Sequence, residues 1–120
     1  MEQVIFKLKN KIWECEVGID DYGNIPIRIM SHEERLDEAL VVVADEVINR
    51  VNILRNESVE YAMESRYRDD IEESGDLFIQ SIHVVNKTQF DIWFTLGFTG
   101  RYLAVKYKEG VMYEVHCDAP

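Results

Sequence analysis

Residues 77–116 read LFIQSIHVVNKTQFDIWFTLGFTGRYLAVKYKEGVMYEVH, and this stretch decides the fold. Apolar and polar residues alternate over 77–85, 90–96, 101–107 and 111–116. The runs are separated by Asn86-Lys87, Gly97-Phe98-Thr99-Gly100 and Lys108-Glu109-Gly110, which carry turn chemistry. Alternation with period two places successive side chains on opposite faces of a strand. Four such runs joined by short turns predict an antiparallel meander. Phe90, Ile92, Phe94 and Leu96 share one face of their strand, and Asp91, Trp93 and Thr95 share the other.

Upstream the period changes. Leu36, Leu40, Val43, Val47, Val51 and Leu54 step by four and three residues, which predicts one amphipathic helix over 32–55. Ser31-His32-Glu33-Glu34 reads as its capping box. Asn56-Glu57-Ser58 interrupts the stripe and predicts the cap of a second helix, with Val59, Ala62, Met63, Tyr67 and Ile71 on its apolar face. Gly75 is the expected stop.

Further upstream, Val4, Phe6 and Leu8 alternate, as do Trp13, Cys15 and Val17, with Lys9-Asn10-Lys11 between them, so a hairpin is expected. Asp20-Asp21-Tyr22-Gly23-Asn24 is a turn cluster, and Ile25, Ile27 and Ile29 form a third strand. Pro26 lacks an N–H, which predicts either an edge position for that strand or a place for Pro26 near its first residue. The expected fold class is α+β: a two-layer sandwich in the order βββ-αα-ββββ, a mainly antiparallel sheet with helices on one face. A chain of 120 residues, 47% hydrophobic, fits one globular domain over 1–120 with its own core.

The charge is segregated. Residues 31–76 hold fourteen Asp and Glu against five Arg, which leaves about one unit of the net −10 for the rest. Phosphate contacts need clustered Lys and Arg, so neither nucleic acid nor an anionic membrane surface is the expected partner. The densest acidic run contains Asp69, Asp70, Glu72, Glu73 and Asp76. Three readings fit it: a solvated helix end, a docking patch for a cationic protein, or a hard-cation site. The last lacks the alternating oxygen spacing of a calcium loop.

No residue set identifies a reaction, so no catalytic, metal-binding or cofactor-binding residue is expected. His32, His83 and His116 are scattered, and His116, Cys117 and Asp118 are consecutive, so on a strand their side chains diverge. Cys15 and Cys117 lie near opposite ends of the chain and read as reduced thiols, with pairing open in an oxidising compartment. The opening MEQVIFKLKNK lacks a signal-peptide pattern, and a cytoplasmic location is expected. Aromatic residues in the meander read mainly as core. Interleaved on a sheet they can also stack RNA bases, but few basic neighbours accompany them.

The stretches FIQSIHVV (78–85) and FDIWFTLGFTGRYLAV (90–105) resemble a group of small bacterial domains that in turn resemble immunity proteins of polymorphic-toxin and contact-dependent growth inhibition systems. The likeness covers about the last 45 residues and, more loosely, Trp13 and the strand at 25–29. It carries over no catalytic residue. It implies a domain that binds one cognate toxin and blocks its active or substrate-binding surface. The acidic charge, by its complementarity to a protein that acts on a polyanion, points to a basic, nuclease-type toxin. Asp69, Asp70, Glu72, Glu73 and Asp76, with the exposed acids of the long helix, are the expected contact surface. Two other classes remain open. One is an adaptor or homo-oligomeric assembly subunit that uses the aromatic sheet face or a strand edge. The other is a small enzyme or ligand-binding domain with a pocket between sheet and helices lined by Trp93, His83 or Arg101.

Overall fold

The computed structural model describes residues 6–9, 12–19, 23–30, 35–75, 77–97 and 100–118. Three strands come first: β1 (Lys7–Lys9), β2 (Ile12–Ile19) and β3 (Gly23–Ile29). Three helices follow: α1 (Glu38–Asn49), α2 (Val51–Met63) and α3 (Arg68–Ser74). Four strands complete the chain: β4 (Leu77–Val84), β5 (Gln89–Leu96), β6 (Tyr102–Lys108) and β7 (Val111–Asp118). All seven strands form one sheet in sequence order. Neighbours are antiparallel except β3 and β4, which pair in parallel from Ile27 to Ile29. The helical segment is the crossover that parallel pairing requires.

The expected layout βββ-αα-ββββ is therefore corrected from two helices to three, and the sheet contains a parallel step between β3 and β4. The stripe from Leu40 to Leu54 is real, but the helix is broken at Arg50 (φ −113°, ψ 15°). Arg50 N–H still reaches Val47 O at 3.2 Å, and Leu54 N–H reaches Arg50 O at 2.9 Å. One residue out of helical geometry leaves the apolar spacing intact, so the periodicity hides the break. The helix starts later than expected: Asp37 is the N-cap, its Oδ1 accepting from Ala39 N–H at 2.9 Å. Residues 31–34, where the capping box was expected, lie outside the described residues.

The interruption expected at Asn56-Glu57-Ser58 is also corrected, since all three sit inside α2. The break falls at 64–67. There Ser65 Oγ donates to Ala62 O at 2.6 Å and accepts from Tyr67 N–H at 3.2 Å. A serine hydroxyl that takes over backbone partners in this way ends a helix. Gly75, at φ 84°, ends α3 in a conformation that penalises a Cβ.

Pro26 is not on an edge strand: β3 lies between β2 and β4. The parallel ladder begins only at Ile27, so Pro26 sits just outside it and removes no bond from it. Facing the helices is one apolar core, which takes Ile25, Ile27 and Ile29 from β3, Ile82 and Val84 from β4, and Ile92 and Phe94 from β5. Leu40, Ala44, Val47, Leu54, Ala62 and Ile71 close it from the helices. Tyr107 of β6 is fully buried, stacks on Phe90 at 4.6 Å, and reaches the helical layer through its hydroxyl. That hydroxyl donates to Leu54 O at 3.1 Å, so at 2.6 Å it must accept from Ser58 Oγ.

Candidate functional site

Two faces are available to a partner: the outer side of the helical layer and the side of the sheet that the helices leave uncovered. Each follows from the alternation of strand and helix residues about the shared core.

The helical layer carries the acids. Residues 38–74 hold ten Asp and Glu and four Arg. In α3, Ile71 and Ser74 point into the core, which turns Asp69, Glu72 and Glu73 outward. Glu38, Glu46, Glu60 and Glu64 are exposed on or next to α1 and α2. The five residues singled out from sequence have separate fates. Asp70 pairs with Arg101 at 3.2 Å, and Glu72 pairs with Arg68 at 3.0 Å. Asp69 and Glu73 are exposed and have no ion pair among the described residues. Asp76 lies outside the described residues. Arg66 is also engaged locally, its guanidinium lying 5.0 Å over the Tyr67 ring. The exposed acids are therefore spread over the outer side of all three helices.

The uncovered face has an order that depends on register. Lys7 lies opposite Glu14, Glu14 opposite Arg28, and Arg28 opposite His83. His83 lies opposite Asp91, Asp91 opposite Lys106, and Lys106 opposite Glu114. One row of charged or titratable side chains thus crosses all seven strands. Arg28 sits 3.7 Å from Glu14, and Lys106 sits 3.4 Å from Glu114. His83 Nε2 lies 3.4 Å from Arg28 Nη1 and 3.2 Å from Ser81 Oγ. A guanidinium only donates, so Nε2 must accept and the ring is neutral with its proton on Nδ1. Burial, and secondarily Arg28, push His83 down to about 4. Burial raises the Asp91 carboxyl, Lys106 opposing and Glu114 adding to the rise. The Trp93 ring tilts against His83 at 5.7 Å, and its buried Nε1–H has no acceptor among the described residues.

The His83 geometry predicts a pH effect. Its folded value, about 4, lies below the ordinary histidine value of 6.5, so between these values the unfolded chain binds the extra proton. Stability should be unaffected by His83 above about pH 6.5 and should fall as pH drops toward 4. Asp91 acts in the opposite sense, and protonation relieves the cost of its buried charge at the acid end of that window. His83→Gln should flatten the decline in denaturation midpoints between about pH 6.5 and 5. An unchanged slope would contradict the neutral-ring assignment.

The expectation of a pocket lined by Trp93, His83 or Arg101 between sheet and helices is corrected. Trp93 and His83 lie on the uncovered face, and Arg101 pairs with α3. A cavity of about 260 Å3 does lie between the α1–α2 junction and the two adjacent β-turns, lined in part by Val47, Arg50, Leu54, Lys87, Phe90 and Glu109. Burial, with Asp45 and Glu14 nearby, pushes the Cys15 thiol up to about 12, which makes it a poor nucleophile. Cys15 on β2 and Cys117 on β7 are five strand positions apart, about 24 Å, so they cannot bridge within one chain. Among the described residues no group of three or more His, Cys, Asp or Glu is placed to hold a metal ion. His32 is outside them. No described helix is long and apolar enough to cross a membrane.

Compared with protein-family models, curated proteins and solved structures, the chain matches none.

Proposed function

We propose that this domain is a non-catalytic binding protein that neutralises a cationic protein partner, in the manner of an immunity protein against a basic, nuclease-type toxin domain. The observation that carries the reading is the division of charge between the layers. The helical segment, residues 38–74, bears ten acids against four arginines, and its three helices lie together on one side of the sheet. At least two of those arginines are held by local partners, Arg66 by Tyr67 and Arg68 by Glu72. The layer therefore presents a directional negative field.

A protein that acts on a polyanion must present cations at its working surface. Acids placed where phosphates would lie compete for that surface, and steering raises the association rate by about 10- to 1000-fold. Two side chains are in keeping with a role without chemistry: the Cys15 thiol is held protonated, and His83 is committed as an acceptor within its own sheet.

The test is co-expression of the full chain with the C-terminal domain encoded by the neighbouring gene, scored for growth and for co-purification. Rescue of growth, with a complex that weakens as salt rises, supports the reading. A neighbouring product that is neither toxic nor bound overturns it.

A further inference from the structure

We propose that the uncovered face of the sheet pairs with the same face of a second copy of this chain, about a two-fold axis that runs parallel to β4 through His83. The basis is the sign pattern of the cross-strand row. From β1 to β7 it runs cation, anion, cation, neutral His83, anion, cation, anion, that is Lys7, Glu14, Arg28, His83, Asp91, Lys106 and Glu114. This sequence is antisymmetric about its centre. Rotation by 180° about a line along β4 exchanges β3 with β5, β2 with β6, and β1 with β7. Arg28 then faces the partner's Asp91, Glu14 faces the partner's Lys106, and Lys7 faces the partner's Glu114. Within the row every cation meets an anion. A two-fold axis along the row would instead set each charge against its own copy, which like-charge repulsion disfavours. The charges therefore select one axis.

On one side of the row, further positions fit the same operation. Two residues along from the row, Pro26 on β3 faces the partner's Trp93 on β5, an apolar contact. Next along, Thr95 pairs with Phe78 and with Tyr102, and Gly18 with Asn24. Phe78, a large side chain 52% exposed, therefore lies at the axis and meets the partner's Phe78. Tyr102 faces the partner's Gly18, where the missing side chain leaves room for a ring. Sheet twist does not separate the outer pairs. A uniformly twisted sheet is a saddle, and half a turn about its central strand maps the saddle onto itself. Seven strands at about 4.8 Å and eight residues at about 3.3 Å give a face of about 29 by 26 Å, so two copies cover about 1,500 Å2. That is the size of a stable interface.

This dimer is independent of what the helical layer binds, and it leaves both acidic layers outward. Sedimentation equilibrium of the full chain tests it. The wild type should be a dimer, and Arg28→Asp or Asp91→Arg alone should each raise the dissociation constant at least about 100-fold by creating two like-charge contacts. An equimolar mixture of the two variants should sediment as a dimer, because the mixed pair has one cation and one anion at both contacts. Phe78→Asp lies outside the row, leaves the ion pairs of the protomer untouched and should also give monomers. Circular dichroism verifies that each variant keeps the wild-type strand and helix content. A wild type that stays monomeric at about 0.1 mM overturns the proposal. So does a dimer indifferent to Arg28→Asp and Phe78→Asp, or a mixture that stays monomeric.

Discussion

Tyr107→Ala should lower the thermal unfolding midpoint by about 12–20 °C. Removing a fully buried aromatic ring costs about 3–5 kcal/mol through lost burial and the cavity left behind, and for a domain of this size each kcal/mol is worth about 4 °C. Tyr107 is completely buried and stacks on Phe90. It also joins sheet to helices: its hydroxyl bonds Leu54 O in the first turns of α2 and Ser58 Oγ one turn further on. Tyr107→Phe separates the two contributions. It keeps the ring and strands the Ser58 hydroxyl, fully buried at 0% exposure, for an expected loss of about 1–3 kcal/mol. Ser58→Ala added to Tyr107→Phe should recover part of that loss, since an unmatched buried hydroxyl is then gone. Strictly additive losses would show that the two hydroxyls do not depend on each other.

Reversing exposed acids on the helices should have the largest effect on binding. Glu60, Asp69 and Glu73 are exposed, and no salt bridge holds them among the described residues. Glu60→Lys, Asp69→Lys and Glu73→Lys together change the layer by six charge units at sites that leave the core untouched. Affinity for a basic partner should fall by about 100-fold at low salt, mostly in the association rate. The gap between variant and wild type should narrow as ionic strength approaches 1 M, where the screening length is about 3 Å. Asp70→Asn and Glu72→Gln should matter less, because Arg101 and Arg68 already occupy those carboxylates. Equal affinity of triple variant and wild type at low salt would remove the helical layer from the interface.

The sequence disclosed these features unevenly. The four-strand meander was legible because alternation is a local signal: Phe90, Ile92, Phe94 and Leu96 are buried together while Trp93 and Thr95 are not. The helix breaks were not legible. Arg50 leaves the helix without disturbing the stripe, and the break at 64–67 depends on which partners the Ser65 hydroxyl takes. Asn56-Glu57-Ser58 looked like a cap because serine and asparagine favour caps. Ser58 instead uses its hydroxyl on Tyr107, 49 residues away. Pro26 suggested an edge because its missing N–H is a local property, whereas the point where the β3–β4 ladder begins is not.

The acidic layer was visible in composition, yet only ion-pair geometry separates Asp69 and Glu73 from Asp70 and Glu72. The charged row on the other face was invisible. Lys7, Glu14, Arg28, His83, Asp91, Lys106 and Glu114 are spread over 108 positions of the chain, and each alone is an ordinary polar position on a strand. By itself the sequence determined which residues are apolar, where strand and helix periods lie, and that negative charge belongs to the helical segment, because these depend on near neighbours in the chain. Tertiary structure alone decided strand order, the parallel step and cross-strand register. Those depend on pairings between distant residues, and a shift of one residue in register would have sent every side chain of a strand to the other face.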